Sequence, residues 1–180
     1  MTDTAPARFL CDVMLGKLAR QLRALGLDVK YDRLRGGMGA YRQAQADGRT
    51  FLTRSNRLKN LPGVVFIESE KPAEQTEQVK KQFGLQREEK PGNRCTVCNE
   101  PLEAISREQA RPAVPFFIYQ IHHDFHRCRK CGRIYWPGSH VENMARQAQA
   151  PRSGRAVRAR RPFRRPRQPG TQEPRPPSGA

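Results

Sequence analysis

Short apolar runs alternate with helical patterns through the first half of the chain. RFLC (8–11) has the length and character of a buried strand. In LGKLARQLRALG (15–26), Leu15, Leu18, Leu22 and Leu25 recur at helical spacing and form one stripe, with Lys17, Arg20 and Arg23 on the opposite face. Gly26 then supplies a stop. LDVKY (27–31) predicts a second strand, AYRQAQAD (40–47) a short helix closed by Gly48, and RTFLT (49–53) a third strand. VVFIES (64–69) predicts a fourth strand and PAEQTEQVKKQF (72–83) a helix ended by Gly84. This alternation predicts an α/β fold with a mainly parallel sheet and crossover helices. Ligands of such sheets sit at the carboxyl ends of the strands. Asp12, Asp32, Ser55 and Glu68 fall there, whereas Asp28, just after Gly26, belongs at the entry to its strand and so at the opposite edge.

The pattern changes after the breaker KPGN (90–93), where RCTVCNEPL (94–102) and RCRKCGRIYW (127–136) each carry a CxxC pair. One CxxC brings two thiolates within reach of one ion, so Cys95, Cys98, Cys128 and Cys131 complete a tetrahedral four-sulfur shell suited to structural zinc. Four cysteines leave no open position for catalysis. The 29 residues between Cys98 and Cys128 leave room for a β-insertion such as FFIYQI (116–121). His122, His123 and His126 lie near the second pair, as surface or RNA-facing residues or as a substitute ligand. Tyr119, Tyr135 and Trp136 are either stacking residues for RNA or the small core of the module. The fifth cysteine, Cys11, sits in a predicted strand and reads as a core residue.

Composition divides the chain into an α/β domain (8–88), a zinc-ribbon module (89–144) and a tail (145–180). The hydrophobic fraction is only 36%, and the deficit is concentrated in residues 151–180, which hold nine arginines, seven prolines and one acidic residue. Such a segment cannot offset its ordering entropy by burial, so a disordered basic tail is expected. Of the net charge of +17, nine arginines less Glu173 give those last thirty residues +8, leaving +9 on the body. A basic body with a basic arm is the electrostatic footprint of a nucleic-acid partner. No run approaches the roughly 18 apolar residues of a membrane span, and the start MTDTAPARF has no apolar run, so no leader is expected. A cytoplasmic protein is expected, in a compartment where paired cysteines hold metal more often than they form disulfides.

Hydrolysis of a phosphodiester by Mg²⁺ or Mn²⁺ needs carboxylates converging from neighbouring strand ends, and Asp12, Asp32 and Glu68 are the candidates here. Two of them have a plainer reading: Asp12 directly precedes a helix and suits an N-cap, and Asp32 precedes a glycine-rich turn. Arg33, Arg35, Arg42, Arg54 and Arg57 cluster at the same predicted edge, and with Lys17 and Arg20 they are candidate RNA contacts, or else a solvated basic face.

The runs FLCDVMLGKLARQLRALGLDVKYD (9–32), GRTFLTRSNRL (48–58), RCTVCNEPL and FHRCRKCGRIYWPGSHVENM (125–144) resemble the Mut-seven C-terminal ribonuclease domain family in collinear order. The resemblance implies a PIN-like three-layer sandwich followed by a zinc ribbon, with Mg or Mn held by acidic residues and RNA as substrate. Asp12 matches the family's first aspartate, and Asp32 is the next candidate. The chain departs from the family in two places. It reads LTRS where LTRD is usual, placing Ser55 at an expected metal ligand, and RLRGGMGAYRQ (33–43) lacks the usual acidic residues. A hydroxyl carries no charge to offset a dication. The expected protein therefore binds RNA (tRNA, rRNA or mRNA), with affinity from the zinc ribbon and the basic tail, and has a carboxylate-depleted metal site whose activity is reduced or lost. One alternative is an active Mg/Mn-dependent ribonuclease completed by Glu68 or Asp47. Another is an interaction module whose ribbon docks a protein partner in an RNA-processing or ribosomal complex.

Overall fold

A computed structural model of the chain describes residues 7–85 and 93–137. The expected tail, most of the KPGN breaker and the GSH of YWPGSH lie outside the described residues.

Strand β1 (Arg8–Cys11) is followed by a 3-10 turn (Val13–Leu15) and helix α1 (Gly16–Ala24). Then come β2 (Asp28–Tyr31), α2 (Gly37–Ala46), β3 (Thr50–Thr53), β4 (Val64–Phe66) and α3 (Pro72–Gln82). Every element read from the pattern in this half is present. α2 starts earlier than its apolar pattern, at Gly37, and β4 ends at Phe66 instead of reaching 69. The four strands are all parallel, in the order β2-β1-β3-β4.

Side chains alternate across a pleated sheet, and the two cores follow that alternation. Phe9, Cys11, Val29, Leu52 and Val65 face Leu15 of the 3-10 turn, Leu18 and Leu22 of α1 and Val79 of α3. Leu10 and Phe51 face Ala40 and Ala44 of α2. The result is a three-layer sandwich. Small residues at 40 and 44 let α2 lie close to the sheet, and truncating a fully buried leucine such as Leu22 to alanine would cost about 2–5 kcal/mol. From β1 the chain moves outward to β2, then returns across β1 to β3. The order therefore reverses between β1 and β3, the position where open parallel sheets bind ligands.

The second sheet is small and antiparallel, with β5 (Leu102–Ile105), β6 (Phe125–Cys128) and β7 (Ile134–Tyr135) in that order. Between β5 and β6 lie two short helices, α4 (Arg107–Ala110) and α5 (Phe116–Ile121). The expectation of a β-insertion at FFIYQI is thus corrected, because α5 is helical. A six-residue apolar run has no period that separates strand from helix. Here Ile118 and Tyr119 turn onto Ala110, Val114 and Phe125, while Phe116, Phe117 and Ile121 stay exposed. The Arg107 guanidinium donates to the Tyr119 carbonyl at 2.6 Å and lies over its ring.

A second correction concerns Arg23, which helical spacing places on the solvent face of α1. It is only 5% exposed, and the reason is the ribbon. Its Nε donates to the Val29 carbonyl at 2.8 Å and its Nη1 to the carbonyls of Thr96 and Val97 at 3.2 and 2.9 Å.

Candidate functional site

Four cysteines form the metal-binding candidate. The first CxxC turn precedes β5, and the second joins β6 to β7. In each, the residue after the second cysteine has a left-handed backbone, Asn99 at φ 67° and Gly132 at φ 71°. Its N–H closes the turn onto the first cysteine's carbonyl, Asn99 to Cys95 at 2.9 Å and Gly132 to Cys128 at 2.8 Å. Glycine and asparagine tolerate this geometry best. The two turns bring all four Sγ atoms within 4.8 Å of one another, with Cys95 and Cys131 at 3.7 Å. Sulfurs each about 2.3 Å from a central Zn²⁺ would stand about 3.8 Å apart, so the donor set and its spacing fit that ion.

The protonation chemistry fits as well. Burial raises the Cys95 thiol, but the Tyr135 hydroxyl at 3.1 Å and the Cys98 and Val97 backbone N–H groups outweigh it and bring it down to about 7. Cys98 is pushed up to about 12 by burial and by neighbouring Cys131 and Cys95. The cluster alone favours one thiolate and opposes the next, and a central dication would let all four ionise. His122, His123 and His126 stay outside the cluster. Tyr135 serves the knuckle, and Tyr119 and Trp136 pack on its small core.

The second candidate is the carboxyl edge of the parallel sheet. Asp12 follows β1 at the switch point and is 1% exposed. Its Oδ1 accepts from the N–H of Val13 at 2.8 Å and of Gly37 at 3.1 Å, and its Oδ2 from the Thr53 hydroxyl at 2.6 Å. Val13 opens the 3-10 turn leading into α1, and Gly37 opens α2, whose own N-cap Gly36 offers no side chain. One carboxylate therefore caps two helices, placing its charge at the positive end of each. The Gly36 position demands glycine for space alone, since an added Cβ would stand 2.0 Å from Val13 Cγ1 and 3.1 Å from Asp12 Oδ1.

The other predicted acids are placed differently. Asp32 is exposed and accepts from the Leu34 N–H at 2.8 Å, closing its own turn. Glu68 is exposed and lines an open groove of about 550 Å³ with Ser69, Glu74, Glu77, Gln78 and Lys81 of the α3 region. Among the described residues, the four cysteines are the one group of three or more His, Cys, Asp or Glu whose ligand atoms converge. Asp47 ends α2 at the amino edge of the sheet, where Lys30 pairs with it at 2.8 Å and Arg8 donates to its carbonyl. It is not a neighbour of Asp12. Ser55 turns back, its N–H donating to the Thr53 hydroxyl at 3.0 Å.

Among the basic candidates, Lys17 and Arg20 lie exposed on α1, and Arg33 and Arg35 lie exposed in the turn before α2. Arg57 is exposed beyond β3, while Arg54 is held by the Glu68 carbonyl and the Glu70 carboxylate at 3.1 and 3.0 Å. Arg54 is therefore the least free of the six. No described helix is long and apolar enough to cross a membrane.

Sequence reasoning missed the residues that tie the first cysteine turn to the amino end of β2. Asn99 accepts from the Val29 N–H at 2.9 Å and donates to Asp28 Oδ1 at 2.6 Å. Arg49 in turn holds Asp28 with both terminal nitrogens, at 2.8 and 3.0 Å. The only available signal was Asn99 itself, standing where the other knuckle has glycine.

No curated protein and no solved structure matches the chain. The Mut7-C RNAse domain matches residues 7–148, far more than half of the 180-residue chain, a span that includes the parallel sheet, the switch-point aspartate and both CxxC turns. The chain belongs to the Mut7-C RNAse domain family.

Proposed function

We propose that this protein is an RNA-binding member of the ribonuclease family in which the ancestral metal site no longer cuts. The observation that carries the reading is the commitment of Asp12. Its carboxylate is buried and accepts three hydrogen bonds from the protein, and Ser55 stands where a second acid is expected. A carboxylate offers about four lone-pair sites, so little of Asp12 is left for a dication. RNA would be held by phosphate contacts from Lys17, Arg20, Arg33, Arg35 and Arg57, with Arg54 as a further contact once released from Glu70. The cysteines hold structural zinc in this reading, and the protein works in the cytoplasm.

A second reading, a Mg- or Mn-dependent ribonuclease using Asp12, Asp32 and Glu68, is favoured by family membership and by the location of Asp12 at the switch point. One experiment separates the two. The full chain and Asp12→Asn are incubated with labelled RNA and Mg²⁺ or Mn²⁺, and binding and cleavage are followed together. The first reading expects salt-sensitive binding with intact RNA. Mn²⁺-dependent cleavage that disappears in Asp12→Asn would overturn it and establish the enzyme.

A further inference from the structure

We infer that Arg23 is a positioning residue of the four-cysteine centre, acting on Cys95 through one peptide unit and joining metal binding to closure of the sheet's β2 edge. The inference rests on the reading that the cysteines hold zinc.

The path is continuous. Arg23 Nη1 donates to the Val97 carbonyl at 2.9 Å, and the same peptide's N–H, on Cys98, points at Cys95 Sγ with the nitrogen 3.3 Å away. The preceding carbonyl, of Thr96, also accepts from Arg23, at 3.2 Å, and helps fix the guanidinium against the turn. A cation on a carbonyl oxygen polarises the peptide and strengthens the hydrogen bond given by its N–H. Four thiolates around Zn²⁺ carry a net charge of about −2, and a buried guanidinium beside them offsets part of it. Partners of this kind orient metal ligands, and losing one typically costs 10–100-fold in affinity.

The same guanidinium serves the sheet. β2 is an edge strand, and at Val29 its outward backbone groups are both taken by this arrangement. Arg23 Nε bonds the carbonyl, and Asn99, the residue after Cys98, bonds the N–H. An open parallel edge would otherwise present unpaired donors and acceptors. Occupancy of the knuckle and protection of Val29 should therefore rise and fall together. Lysine could not replace Arg23, because one ammonium cannot reach the Val29 carbonyl and both knuckle carbonyls in the arginine's fork.

The test uses the full chain as purified, with metal content measured first. Zinc release to a chelating dye is timed for wild type, Arg23→Lys and Arg23→Met, with amide exchange at Leu22 and Leu52 reporting that the sheet core is intact. Release at least about 10-fold faster in Arg23→Met is expected, with Arg23→Lys falling between it and wild type. In wild type itself, stripping the zinc should speed exchange of the Val29 amide while the Leu52 amide keeps its protection. That second arm does not depend on any variant folding. Unchanged release rates with one zinc bound, or a Val29 amide indifferent to zinc, would overturn the inference. A wild-type protein holding no zinc would instead overturn the zinc reading on which it stands.

Discussion

At Asp12, donors from three segments meet on one carboxylate: Val13 beside it in sequence, Gly37 at the start of α2, and Thr53 at the end of β3. Removing the acceptor leaves all three donors without this partner, the Thr53 hydroxyl in a fully buried position and the other two in part-buried ones, and buried unsatisfied groups cost about 1–3 kcal/mol each. Asp12→Ala should therefore lose about 3–5 kcal/mol in urea denaturation, allowing for the Thr53 hydroxyl finding another partner. Asp12→Asn keeps an amide oxygen for the two backbone donors and should lose about 1–2 kcal/mol. An alanine variant as stable as wild type would show that the carboxylate is not holding these segments. Part of this was legible in the sequence, since aspartate ahead of a helix reads as a cap. That it also caps α2 was not, because Gly37 lies 25 residues away and a distant donor leaves no local pattern. The same distance hid Arg23, whose helical position predicts exposure until the knuckle is docked on it.

At the scale of elements, the ribbon is fastened to the sheet by polar contacts around Asp28. Burial raises the Asp28 carboxyl, but the Arg49 fork and the Asn99 amide outweigh it and hold the group below the ordinary 3.8. A carboxylate depressed on folding contributes stability that is present above its unfolded pKa and lost as pH falls through the folded one. Stability should thus decline as pH drops below about 3.8, with Asp47 and Glu103, both also depressed, adding to the same limb. Arg49→Met should begin less stable at pH 7 and lose less between pH 7 and 3, measured as urea midpoints across that range. Parallel acid limbs in the two proteins would mean that the Asp28–Arg49 pair is energetically idle. The elements themselves followed their patterns where the period was clear, as in the leucine stripe of α1. FFIYQI had no such period, and only its packing against Phe125 and Val114 selected a helix.

For the whole molecule, charge is the property that sequence states most directly. A net +17 chain whose body alone carries +9 should bind RNA in a strongly salt-dependent way. Each phosphate contact removed should reduce the slope of log K against log salt by about 1. Arg33→Ala with Arg35→Ala should therefore lower the slope by about 1–2, without loss of fold, since both side chains are exposed. A slope that does not move would place the RNA elsewhere on the body or on the tail. By itself, the sequence determined the order of strands and helices through residue 83, the four cysteines as a candidate metal set, and the basic character of the chain, because each rests on local periodicity, fixed spacing or simple addition. Tertiary structure alone decided that Asp12 is enclosed, that Asp32 and Glu68 point to separate surroundings, and that the knuckle closes the edge of the sheet. Those outcomes depend on which donors long-range folding carries to a given carboxylate or strand edge, and no neighbouring residue encodes that.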